Sequence, residues 1–171
     1  MDITVVVLRF VHVVGGIFWV GAVLFTVGYL MRALADVGSA GGQVMAALAR
    51  RRWFDVLPGV AILVVLSGVD LLRRVSGGFA PQYMGSGVGI ALSIGGLCGI
   101  LALLIGLIVS RPATLRAMAL MAQASAVTDT SEKQGLMAHA MTQRSRGQQS
   151  MRIVAVLLFV TATCMAIARY L

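Results

Sequence analysis

Val5-Val6-Val7-Leu8-Arg9-Phe10-Val11-His12-Val13-Val14-Gly15-Gly16-Ile17-Phe18-Trp19-Val20-Gly21 opens an apolar run that continues to Leu30 and carries two ionisable side chains, Arg9 and His12. Its length exceeds the roughly 20 residues that an α-helix needs to cross a hydrocarbon core. Apolar blocks at about 54–72, 88–110 and 153–168 complete a set of four with the first at about 5–30. The expected fold is therefore all-α, a polytopic membrane four-helix bundle forming one domain over residues 1–171.

Composition agrees. The chain is 59% hydrophobic and 12% charged, and its mean hydropathy is +0.94. Soluble domains carry about 25% charge, so too few polar side chains remain to cover a soluble globule. The net charge of +8 sits at the ends of apolar blocks. That placement suits topology and anionic lipid headgroups, and it argues against nucleic acid. Cys98 and Cys164 both lie inside apolar runs, so no disulfide framework is expected. The N-terminus lacks a basic region and a small-residue cleavage site, so the first helix is expected to persist.

Four spans place the first and third connections on one side. Those hold Arg32, Arg50, Arg51, Arg52, Arg111, Arg116, Lys133, Arg144, Arg146 and Arg152, whereas the other side holds Arg9, Arg73, Arg74 and Arg169. The positive-inside rule then puts both termini outside the cytoplasm. The first connection reads as a short interfacial helix whose Arg50, Arg51 and Arg52 meet lipid headgroups. In the third, Leu115, Met118, Met121 and Ala122 recur at helical spacing, as do Leu136, Met137, Ala140 and Met141. Asp129 and Glu132 have capping-box spacing for a helix restart. The third and fourth helices are thus expected to extend as a cytoplasmic helical hairpin at about 111–152 with a methionine-rich seam. Such a seam suits apolar packing and could also hold soft metal.

Pro58 is expected in the first turn of the second span, where a missing N–H costs least. Gly15, Gly16, Gly21, Gly95, Gly99 and Gly106 are expected to mark close helix approach, a homo-oligomer face or a groove for a flat cofactor. Arg9, His12, Gly16, Trp19 and Val23 follow one helical face. An Arg9–Asp70 ion pair would lower the cost of both charges, with Arg73 or Arg74 as substitute partners.

An intramembrane histidine is a natural candidate for function. His12 and His139 fall at depths about 20 Å or more apart at a rise of 1.5 Å per residue, so they cannot share one haem iron. Met165 and Cys164 share the depth of His12. A His/Met haem or a soft copper site of His12 with Met165 or Cys164 is open, and so is a histidine bonded to a backbone carbonyl or hydroxyl. The chain shows no intramembrane carboxylate pair, nucleophile elbow, phosphate loop or zinc-protease motif.

The spacing His12-x6-Trp19-x-Gly21, with Ser67-Gly68 late in the second span, resembles the membrane domain of copper-resistance protein D and small integral membrane proteins related to it. That resemblance implies a bacterial inner-membrane protein of copper or haem handling, with His12 as ligand and Trp19 beside the cofactor. Membrane-type protoporphyrinogen oxidase has a similar first-span pattern, but its later basic residue has no counterpart between Val88 and Val109. Cytochrome b561-like carriers need several intramembrane histidines. Three readings follow. The first is a non-catalytic accessory subunit of a larger inner-membrane redox assembly, without cofactor. The second is a copper- or haem-binding protein using His12, and the third is a small enzyme acting on a porphyrin or quinone.

Overall fold

A computed structural model describes residues 2–171, with Ser39 described by its backbone alone. Every element among the described residues is helical. Asp2 caps α1 (Ile3–Phe25), its Oδ1 accepting from the Thr4 N–H at 2.9 Å. A π-helical turn, Thr26–Leu30, leads directly into α2 (Met31–Asp36). α3 (Ser39–Arg50) follows Gly38, whose φ of +57° breaks the helix direction. Arg52, left-handed at φ +55°, turns the chain into α4 (Trp53–Val75).

Gly77 and Gly78, both at positive φ, carry the chain around to α5 (Pro81–Met84). Ser86 caps α6 (Gly87–Ile105) by accepting from the Gly89 N–H. A second π turn, Gly106–Ser110, runs into α7 (Arg111–Ala126). α8 (Thr130–Ile167) is a single 38-residue helix. At 1.5 Å per residue it measures about 57 Å, well beyond a hydrocarbon core of about 30 Å. Asp129 caps it, accepting from the Ser131 and Glu132 N–H groups at 2.7 and 3.1 Å. A 3₁₀ turn, Ala168–Tyr170, ends the chain's helical path.

Four helical stretches are long and apolar enough to cross a membrane: Ile3–Asp36, Trp53–Val75, Gly87–Ala126 and Thr130–Tyr170. The core lies where they meet. Trp19 and Val23 of α1 pack with Leu57, Ala61 and Val64 of α4, Ala102 of α6, and Val154, Ala155 and Leu158 of α8. α1 stands at the edge of this arrangement. In its most apolar 18-residue window 6% of residues are buried, against 17–22% in the other spans.

Gly95 and Gly99 are buried against α8, and Thr161 Oγ1 donates to the Gly95 carbonyl at 3.0 Å. Gly15 lies against Val64 and Val60 of α4. Gly21 and Gly106, by contrast, have no neighbour within 4 Å of their Cβ directions. The seam between α7 and α8 is also not the expected methionine row. Ala113, Ala117, Ala124, Ala140 and Gly147 are buried there, because only small side chains let two backbones come this close. The methionines face elsewhere.

Pro58 is the sixth residue of α4, one turn further in than expected, because the helix begins at Trp53. Its missing N–H leaves the Phe54 carbonyl without an intrahelical donor. Arg111 Nε fills that place at 2.9 Å, and its Nη2 donates to Asp55 Oδ1. One guanidinium thereby ties the first turns of α4 to the start of α7.

Candidate functional site

His12 lies on the α1 face that meets α4. Its Nδ1 is 2.9 Å from the Val64 carbonyl oxygen, an acceptor only, so Nδ1 donates. In the neutral ring the lone pair is then on Nε2. The same carbonyl accepts from Ser67 Oγ at 3.1 Å. The imidazole rests on Gly68: a Cβ there would stand 2.6 Å from Cε1 and 2.9 Å from Nδ1. His12 and Ser67-Gly68 thus form one contact in space. Cys164 and Met165 lie on α8 against Gly95 of α6. Among the described residues no three His, Cys, Asp or Glu side chains converge in a way that could hold a metal ion.

The expected Arg9–Asp70 pair does not form. Asp70 accepts from Arg73 at 2.8 Å and from Arg74 at 3.0 Å, one turn along its own helix. Local partners at i+3 and i+4 are held close by the helix itself, so less side-chain freedom is lost than in a pair across helices. Arg9 is exposed and makes no ion pair among the described residues. The link between α1 and α4 at this end runs instead from Arg74 to Asp2, at 3.3 Å. Arg50, Arg51 and Arg52 are all exposed.

Sequence reasoning missed a long chamber in the cation-rich half of the bundle. Its volume is about 890 Å3, near the upper end of the roughly 300–1,000 Å3 typical of small-molecule sites. Trp19, Leu57, Ala61, Ala102 and Val154 form its floor in the core. From there it follows α8 to Ala140, about 20 Å at 1.5 Å per residue.

Both π turns border it, through Thr26 and Leu30 on one side and Gly106, Leu107 and Ser110 on the other. Such turns often mark functional sites, since each re-aims the side chains that follow it. Seven of the chain's ten methionines line the walls: Met31, Met45, Met118, Met121, Met137, Met141 and Met151. Walls built this way adapt to an occupant, because the unbranched thioether has three rotatable bonds. The charged side chains of the lining are Arg111 and Arg144, with no carboxylate among them. Asp55 answers Arg111, while Arg144 is exposed and makes no ion pair among the described residues.

Trp19 and Trp53, the chain's two tryptophans, both line the chamber. His12, Cys164 and Met165 do not. The sequence did carry a signal: Pro58 frees a carbonyl, an arginine lies inside the third helical stretch at Arg111, and methionines cluster on both arms of the hairpin.

No protein-family model matches the chain, and comparison with curated proteins and with solved structures gives no match.

Proposed function

We propose that this chain is a non-catalytic, multi-pass protein of a bacterial inner membrane, acting as an accessory subunit of a larger redox assembly. The edge position of α1 carries this reading. With 6% of its apolar window buried, α1 gives most of its surface to lipid or to a helix of another protein. Gly21 and Gly28 have open space around their Cβ directions, which lets a foreign helix approach closely. By the positive-inside rule the chamber and the α7–α8 hairpin face the cytoplasm, and Arg50, Arg51 and Arg52 meet anionic headgroups.

The test is site-directed cross-linking in native membranes from Gly21→Cys, in a background lacking Cys98 and Cys164. A specific adduct with a larger subunit is expected, and Gly21→Phe should remove the assembly while leaving the chain's own thermal transition in place. A chain that gives only lipid adducts and runs as a monomer overturns the reading.

One observation favours a second reading, in which His12 binds copper or haem iron. A ligating histidine commonly donates its other N–H to a carbonyl, which fixes the tautomer, and the His12–Val64 hydrogen bond has that form. A Soret band, or stoichiometric copper lost in His12→Ala, would establish it. A colourless, metal-free preparation from cells supplied with both would discard it.

A further inference from the structure

We propose that the chamber is a binding site for an anionic amphiphile, a long aliphatic chain bearing a carboxylate or phosphate, with Arg144 as the residue that holds its head. Shape comes first. About 890 Å3 spread over roughly 20 Å along α8 leaves a cross-section of a few tens of Å2. That is the section of one or two extended alkyl chains, and a compact ring system would leave most of the length empty.

Chemistry grades along the same axis. The floor of Trp19, Leu57, Ala61, Ala102 and Val154 is apolar and lies in the packed core. Arg144 lies about 15 Å from the floor along α8, with Gln148 one turn nearer to it. An aliphatic tail at the floor therefore places its head at the guanidinium. The methionine walls can fit chains of differing length and unsaturation, so selectivity rests on the head group.

Charge decides the sign of that head. Both charged side chains of the lining are arginines, and no aspartate, glutamate, histidine or cysteine joins them. Arg111 is held by Asp55 and the Phe54 carbonyl, so Arg144 is the cation left to bind an anion. Two guanidiniums with no carboxylate beside them in the lining disfavour a cation there. This site does not depend on a partner subunit, nor on His12.

The tryptophans make the test direct, since both line the chamber. The full chain in nanodiscs of zwitterionic lipid is titrated with dibrominated stearate, and separately with the methyl ester of the same acid. Saturable quenching by the acid is expected. Arg144→Gln should weaken binding of the acid about tenfold, the worth of one charge-assisted hydrogen bond, and leave the ester unchanged.

Gly106→Phe should abolish saturable quenching by both probes. Its Cβ direction is open, so the new ring fills the chamber without displacing a helix, which an unchanged thermal transition verifies. A second set of nanodiscs containing brominated phosphatidylglycerol identifies the source. Quenching there that depends on Arg144 and Gly106 assigns a bilayer lipid, and its restriction to the added acid assigns a free amphiphile. Quenching that never saturates, or that both variants leave untouched, overturns the proposal.

Discussion

The bundle has two halves that differ in how its helices meet. Towards the Arg73 end, Gly95 and Gly99 bring α6 against Thr161 and Cys164, and Gly68 receives the His12 ring. Beyond the floor of Trp19 and Val154 the same helices part around a chamber, and Gly106 faces nothing within 4 Å. Both halves are apolar and both contain glycine. Glycine in a membrane helix therefore signals close packing only where a small or flat partner lies opposite. In the open half the α7–α8 seam is closed by small residues and a buried Ser110–Ser150 hydrogen bond of 2.8 Å, and the Arg111 bridge ties α4 to the start of α7.

The strongest way to break this contrast is Gly95→Val. A Cβ there stands 3.0 Å from Cys164 Cβ and 3.4 Å from the Thr161 carbonyl, and a branched side chain adds more. We expect a loss of about 2–3 kcal/mol, read as a lower unfolding midpoint in mild detergent, whereas Gly106→Val should change it by less than about 0.5 kcal/mol.

Next comes Gly68→Ala, whose methyl meets the His12 ring at 2.6 Å. A cost of about 1–2 kcal/mol is expected. His12→Ala should remove most of that increment in the double variant, since the two residues share one contact. Additive effects would show that the imidazole is not packed on Gly68.

The boundary between the halves is tested by Arg111→Gln, which strips the donor from the Phe54 carbonyl. About 1–2 kcal/mol should be lost. Pro58→Ala supplies the missing intrahelical N–H, so the loss should shrink in the Pro58→Ala background. An unchanged loss there would assign the effect to the Asp55 pair alone.

The smallest effect belongs to the hairpin tip, where packing is least. Hydrogen bonds from the Ser131 hydroxyl, then from the backbone N–H groups of Glu132 and Ser131, hold the Asp129 carboxyl below its usual value of 3.8. A depressed folded-state value means the cap's contribution is complete above 3.8 and disappears as pH falls through the lowered value. Amide exchange at Ser131 and Glu132 should therefore rise, relative to the intrinsic rate, only under acid conditions. Asp129→Asn should flatten that dependence.

Much of the fold was legible because it is written in local chemistry. Four apolar blocks, the Asp129 restart and the helical third connection need only neighbours in sequence. For Asp70 the sequence offers both Arg9 across helices and Arg73 or Arg74 one turn away, and the helix geometry selects the local pair. The methionine spacing marks helices but does not say which face meets the other arm. Alanine and Gly147 take the α7–α8 seam, and the methionines turn to the chamber. Pro58, Arg111 and the clustered methionines mark the chamber's border in the sequence, but its volume depends on where helices diverge, and no residue type encodes divergence by itself.

The two π turns have a consequence for how this chain tolerates change in length. A π turn holds one residue more than the α-helical path it replaces, and one residue is about 100° of rotation. Every side chain of α7 is therefore out of phase with the wheel drawn through α6, and α2 with that of α1. A single deletion within Gly106–Ser110 would remove the extra residue and restore the α-helical path with Arg111 and Thr114 on their present bearings, whereas a one-residue change elsewhere in α6 would swing both by about 100°. Insertions and deletions, seldom informative in a helix, are here the natural mutational unit, and the chamber is the part of the molecule that would register them.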